Sequence, residues 1–205
     1  PCETPKKAGE RVQIDVKYVP KECLVKGMPK LYQYTAIDEA TRLRCRAIFD
    51  EHSSWNSVRF LHYVRKKFPF EIQCVQTDNG TEFTNALLNP GKLSEFEQYL
   101  KKEQITHKRI RPATPRHNGK VERLHRMDSE RVYPNRKFYS VEDANEQLRC
   151  YQRWGNNFPL LVLGRKSPLP YWRDNFAESV TDHLTTWIVS LYESLPCRLM
   201  YVIIY

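Results

Sequence analysis

The sequence predicts an α/β fold, a mixed five-stranded sheet flanked by helices, with a helical C-terminal extension. Three observations lead there. Between residues 11 and 50, apolar and polar side chains alternate with the period of a β-strand. Beyond residue 53, apolar residues at helical spacing alternate with short β-rich runs, the order of an α/β layout. Hydrophobic residues make up 40% of the chain and aromatics 12%, enough for a packed core.

The elements follow in order. Val12, Ile14, Val16 and Tyr18 alternate with Gln13, Asp15 and Lys17, which marks a first strand. A Lys/Gly/Pro-containing turn spans residues 20 to 30. Leu31 to Ile37 and Arg44 to Phe49 read as two further strands with a short polar connection, so the first three suggest an antiparallel meander. Ser53 or Ser54 can cap a helix whose Val58, Leu61, Val64 and Phe68 share a face, and Pro69 stops it. Glu71 to Gln76 is a fourth strand ending at Asp78. Leu93, Phe96 and Leu100 outline a second helix. Thr106 to Ile110 is a fifth strand, ended by Pro112 and Pro115. Asn118 to Val132 forms a third helix, and Ser140-Val-Glu-Asp143 opens a fourth as a capping box with Asp in place of Glu.

At 205 residues, one domain with appendages is expected. The boundaries read as a flank over 1–10, a core over 11–135, a helical extension over 136–176 and a divergent tail over 177–205. The tail ends in the apolar run Leu199-Met-Tyr-Val-Ile-Ile-Tyr205, which reads as out-of-frame sequence or an edge strand. The start, Pro1-Cys-Glu-Thr-Pro-Lys-Lys7, reads as a chain cut from something longer. A formal charge of +9 favours a nucleic-acid partner. The six cysteines have no CxxC or Cys/His finger spacing and read as reduced, mostly buried thiols. No apolar run is long enough for a membrane span.

Three acids stand out by their settings. Asp15 lies within a strand, Asp78 opens an Asp-Asn-Gly turn after another strand, and Glu122 sits at a helix start. Each has a bland reading: an exposed strand residue, a turn former, and half of an i,i+4 ion pair with Arg126. Together, on two neighbouring strands and one helix, they can converge on divalent cations. Gly80 is expected to supply a positive φ to the turn.

The chain resembles the catalytic cores of DDE-type transposases and retroviral-like integrases, in the RNase H-like superfamily. The likeness rests on Gln13-Ile-Asp15, Thr77-Asp-Asn-Gly-Thr-Glu-Phe83, Pro112-Ala-Thr-Pro-Arg-His-Asn-Gly-Lys-Val-Glu-Arg123 and Leu163-Gly-Arg-Lys-Ser-Pro168. It implies an RNase H-like fold and a polynucleotidyl transferase that cleaves and joins DNA in transposition. It implies that Asp15, Asp78 and Glu122 are the catalytic residues and bind two Mg²⁺ or Mn²⁺ ions. The spacing departs from the family, because 43 residues separate Asp78 from Glu122. The surplus falls in residues 86 to 92, where a surface loop tolerates insertion.

Arg111, Arg116, His117, Asn118, Lys120, Arg123, His125 and Arg126 surround Glu122 and are expected to contact DNA. Glu82 reads as structural or DNA-proximal. The tyrosines read as packing, since two-metal chemistry needs no protein nucleophile. The resemblance further implies element-end and target DNA as partners and a homo-oligomeric active complex. No helix-turn-helix or zinc-binding module is visible, so either a separate helix-turn-helix protein is expected to read the element ends or the chain is a truncated copy. The expected location is the bacterial cytoplasm, at the nucleoid, with no membrane partner. Two alternatives stay open on the residues alone: a hydrolysis-only RNase H-like nuclease, and a defective remnant that only binds DNA.

Overall fold

The structure is a computed structural model, and it describes residues 5–86, 89–110 and 118–177. The described residues form five strands: β1 (Val12–Tyr18), β2 (Tyr32–Asp38), β3 (Arg44–Phe49), β4 (Cys74–Thr77) and β5 (Thr106–Arg109). They are joined and followed by α1 (Ser54–Lys67), α2 (Glu95–Lys102), α3 (Gly119–Arg131), α4 (Val141–Asn157) and α5 (Pro168–Phe176). The spatial order is β3-β2-β1-β4-β5. The first three strands form the expected antiparallel meander, and β4 and β5 add in parallel, so the sheet is mixed. The fourth strand begins three residues later than its apolar run suggests.

Helix ends follow local chemistry. Ser53 Oγ accepts the Asn56 N–H and opens α1, which closes at Phe68, before Pro69. Ser94 and Glu97 form a reciprocal capping box on α2. At α4, Ser140 Oγ accepts the Asp143 N–H, but Asp143 reaches back to the N–H of Tyr139 rather than of the cap residue. The Lys166-Ser-Pro element is a clip. Pro168 starts α5 where no N–H is needed, Ser167 Oγ donates to the Asn157 carbonyl at the end of α4, and Lys166 pairs with Asp174.

The two faces of the sheet are buried by different means. On one, Val12, Ile14, Tyr34, Ala36, Cys45 and Ala47 pack against Phe60, Leu61 and Val64 of α1, Phe96 and Leu100 of α2, and Trp172 of α5. Each such large side chain contributes about 1.5–3 kcal/mol on burial. The other face carries Gln13, Gln33, Thr35, Arg44 and Arg46, all nearly inaccessible, under α3 and α4. The alternation therefore sorts apolar from polar, but the polar side is covered rather than solvated. Cys23, Cys45 and Cys74 are free thiols as expected; Cys150 is disulfide-bonded, which the scattered spacing did not suggest. No described helix is long and apolar enough to cross a membrane. The apolar run at Leu199 to Tyr205 lies outside the described residues.

Candidate active site

Parallel pairing of β1 with β4 matches Gln13 to Gln76. Carried two residues further, the register sets Asp78 opposite Asp15. Asp15 Oδ1 accepts the Val16 N–H at 2.9 Å, and its Oδ2 lies 3.4 Å from His125 Nδ1. Asp78 Oδ1 accepts the Gly80 N–H at 3.0 Å, which folds the turn back on the carboxylate. Burial pushes the Asp78 carboxyl up from its ordinary range and the neighbouring Asp15 charge pushes the same way, against the Gly80 N–H. Two half-buried carboxylates that feel each other's charge are an oxygen donor set suited to a hard divalent cation.

The turn after Asp78 is held in a way that its sequence did not disclose. Gly80 does not have a positive φ. A Cβ there would stand 2.4 Å from Glu82 Oε2, so a larger residue fits only if the Glu82 carboxylate moves. The Glu82 side chain thus folds over Gly80, and its Oε1 pairs with His52 Nε2 at 3.0 Å. Burial raises the Glu82 carboxyl, and its Oε2 has no hydrogen-bond partner. Phe83 is buried against Phe96 and anchors the end of the turn.

Glu122 lies in the first turn of α3, and its position follows from how that helix is seated. Val121, Leu124 and Asp128 face the sheet, which leaves Glu122, Arg123 and Arg126 exposed. The Val121 N–H donates to Gln13 Oε1 at 3.1 Å, and Lys17 Nζ donates to the His125 carbonyl at 2.8 Å. These two contacts from β1 bracket Glu122 and hold its turn beside the strand that carries Asp15. Lower down, Asp128 accepts two hydrogen bonds from Arg46 on β3, both at 2.9 Å, and one from Gln33 on β2 at 2.7 Å. Neither Arg46 nor Asp128 has any exposed side-chain surface.

Asp15 and Asp78 are therefore brought together, and Glu122 stands on the helix beside them. Among the described residues, no three His, Cys, Asp or Glu side chains lie close enough to share a metal ion. Of the expected DNA contacts, Arg123 and Arg126 are exposed on α3. Lys120 is paired with the buried Glu39, which also binds Gln13. His125 packs against Asp15, and Asn118 is buried with its Oδ1 unpartnered. Lys120 and His125 therefore also tie α3 to Glu39 and to β1. Arg111, Arg116 and His117 lie outside the described residues. Sequence reasoning missed Glu39, His52, Arg46 and Asp128, each of which looks like surface charge when its neighbours in space are unknown.

The integrase core domain family matches residues 5–115, and a second integrase core domain family matches residues 103–159. The chain belongs to the integrase core domain family. A putative integrase, ORF3 of Spiroplasma virus SpV1-C74, is 30% identical over 154 residues, covering 71% of this chain and 42% of the relative. The retrovirus-related Pol polyprotein of transposon TNT 1-94 from Nicotiana tabacum is 31% identical over 103 residues, covering 49% of this chain and 7% of its own length. The chain thus spans less than half the length of these relatives. Among solved structures, the catalytic core domain of BIV integrase superposes with a TM-score of 0.61 at 18% identity, over 84% of this chain and 99% of that one. The HTLV-2 integrase catalytic core domain in complex with magnesium gives 0.59 at 14% identity, over 80% and 97%. A simian T-cell lymphotropic virus intasome chain gives 0.66 at 16%, over 85% and 56%. At these identities the likeness establishes the fold, the RNase H-like fold of integrase catalytic cores.

Proposed function

We propose that this integrase core cleaves phosphodiester bonds in DNA and transfers the resulting ends, with Asp15, Asp78 and Glu122 holding two Mg²⁺ or Mn²⁺ ions. The reading rests on one observation: in a chain of this family, Asp15 and Asp78 stand side by side, with the Glu122 helix tethered next to them. When bound, the ion pair supplies activation of the attacking oxygen and stabilisation of the departing 3′-oxygen. The protein's part is to fix the donors. Gly80 orients Asp78 through its N–H, while His125 and the Val16 N–H fix the two oxygens of Asp15. Glu122, exposed and on a rigid helix, is free to complete the set as DNA and ions enter. Arg123 and Arg126 extend from the same helix and grip the phosphate backbone without reading sequence. The substrates are element-end and target DNA. The active complex is a homo-oligomer; the trimeric form and the intasome named for its structural relatives support assembly.

The test uses Asp15→Asn, Asp78→Asn and Glu122→Gln, with nicking and strand transfer measured on labelled duplex DNA in Mg²⁺ or Mn²⁺. Each variant should fold and lose both activities, and each should bind Mn²⁺ more weakly by calorimetry. Near-normal cleavage by any one folded variant would reject the assignment. Nicking without joining would mark the protein as a hydrolytic nuclease instead.

A further inference from the structure

A cleft of about 630 Å³ opens at the far end of α3 from Glu122, between the 3-10 turn Lys21–Cys23 that follows β1 and the connection from α3 to α4. It lies on the same side of the sheet as Asp15. Lys17, two residues further along β1, shares that strand face, and its Nζ donates to the His125 carbonyl at 2.8 Å and to Ser129 Oγ at 3.3 Å. His125 meets Asp15, and Ser129 lines the cleft. A chain of contacts therefore runs from the first acid to the cleft. Beside it, Glu122, Arg126 and Ser129 are exposed at i, i+4 and i+7 and form one stripe along α3. That stretch of helix rises about 10 Å, close to three nucleotides of one DNA strand at about 3.4 Å each. The cleft's lining carries Arg136 and Lys137 against one carboxylate, Glu22. Both cations are held by neutral acceptors: Arg136 Nη1 donates to Gln147 Oε1 at 3.0 Å, and Lys137 Nζ donates to the Glu22 carbonyl. Neither is paired with a carboxylate among the described residues. Arg136 Nε is buried without a partner, and burial holds the guanidinium below its ordinary range. An anion in the cleft would offset that cost.

We propose that this cleft is a second backbone subsite, which takes a sugar-phosphate unit of the DNA strand lying along α3, about three nucleotides from the acids, with Lys137 and Arg136 supplying the charge. This rests on the DNA-processing reading above and adds to it the path of the strand beyond Arg126. A cleft of this size suits a nucleotide-sized group rather than a bare ion. Contacts to charge position DNA without reading its sequence. The occupant's chemistry is a phosphate ester, and the stripe that leads to the cleft from Glu122 makes a DNA strand its source.

The test is a lysine footprint and a salt titration, both in EDTA so that no chemistry intervenes. The wild-type chain is acetylated with and without a short blunt duplex, and the modified lysines are read by mass spectrometry. DNA should protect Lys137 and leave Lys66 as reactive as before, because Lys66 is exposed on α1, which covers the opposite face of the sheet. Lys137→Ala should melt at the same temperature, bind DNA more weakly and flatten the slope of log affinity against log salt by about 0.9. Lys66→Ala should leave the slope unchanged, and Glu22→Gln, which removes the one lining carboxylate, should bind no more weakly than wild type. Unprotected Lys137 in a wild-type chain that still binds DNA, or an unchanged slope in Lys137→Ala, would overturn the subsite while leaving the DNA reading intact. Equal protection by inorganic phosphate at the same ionic strength would also overturn it, in favour of a free anion. No binding of DNA by the wild type would overturn the subsite and the DNA reading together.

Discussion

Replacing Asp128 by alanine should be among the most damaging single changes available outside the acid pair itself. The carboxylate is inaccessible and accepts two hydrogen bonds from Arg46 and one from Gln33. Truncation strands the Arg46 guanidinium, also inaccessible, and removes a negative charge that acts on Lys17, whose amine burial has already lowered to about 8. Breaking one side of a buried pair costs about 3–5 kcal/mol, a large part of the roughly 5–15 kcal/mol that holds a domain together. For a protein of this size that is a fall in Tm of about 6–20 °C, measured by circular dichroism at pH 7. Acidity should mimic the substitution. Burial alone would raise the Asp128 carboxyl, but the Arg46 charge and hydrogen bonds outweigh it and hold it below the usual carboxylate range. The pair's stabilisation is therefore complete above an unfolded aspartate's pKa, about 4, and lost as pH falls through the folded value. An apolar pair, Arg46→Met with Asp128→Leu, should recover most of the loss, since two groups removed together leave no stranded charge. A melting temperature within about 2 °C of wild type for Asp128→Ala alone, some 1 kcal/mol or less, would refute the reasoning.

Gly80→Ala should loosen the Asp78 turn by driving a methyl into the Glu82 carboxylate, and Gly80→Ala with Glu82→Ala should relieve the clash; a Gly80→Ala variant with unchanged melting and cleavage would show that Glu82 simply swings aside. Burial beneath Phe96 lowers the His107 imidazole to about 4. Its neutral form is the one that the fold accommodates, so stability should be lost progressively as pH falls from about 6.5 toward 4, and His107→Gln should flatten that segment of a pH–melting curve. DNA affinity should fall steeply with salt, and Arg126→Ala should reduce the slope about equally on unrelated sequences; strong preference for one short sequence would show that a reader had been overlooked.

Much of this was legible from residue order. The period-2 run from Val12 to Tyr18, the cap at Ser53 and the stop at Pro69 placed β1 and α1 within a residue or two. The settings of Asp15, Asp78 and Glu122 placed them on β1, just after β4 and in the first turn of α3. What could not be read was how the polar half of the sheet is used. Arg44 and Arg46 alternate with apolar residues as an exposed strand face would, and Asp128 sits in a strongly basic helix where a surface ion pair is the ordinary expectation. Only spatial contact shows that these charges meet inside. Lys120 was read as a phosphate ligand, and its pairing with the buried Glu39, 81 residues away, could not be read from residue order. Gly80 was given the commonest explanation for a turn glycine, positive φ, whereas its φ is not positive and the Glu82 side chain folds above it.

The way α3 is seated has a consequence for the order in which the protein comes into being. Its ties join residues far apart in the chain: Gln13 to Val121 and Lys17 to His125 span 108 residues each, Gln33 to Asp128 spans 95, and Arg46 to Asp128 spans 82. The β1–β3 meander, built from near neighbours, can form while those partners are still unmade or searching, because closing short loops costs less entropy than closing long ones. A chain emerging from the ribosome therefore has its first acid in place long before the helix bearing the last one has anything to dock on. A half-made copy holds Asp15 without Glu122, and on the proposed chemistry it cannot cut the DNA around it. The same long-range ties that seat the Glu122 helix thus form only once most of the chain is present.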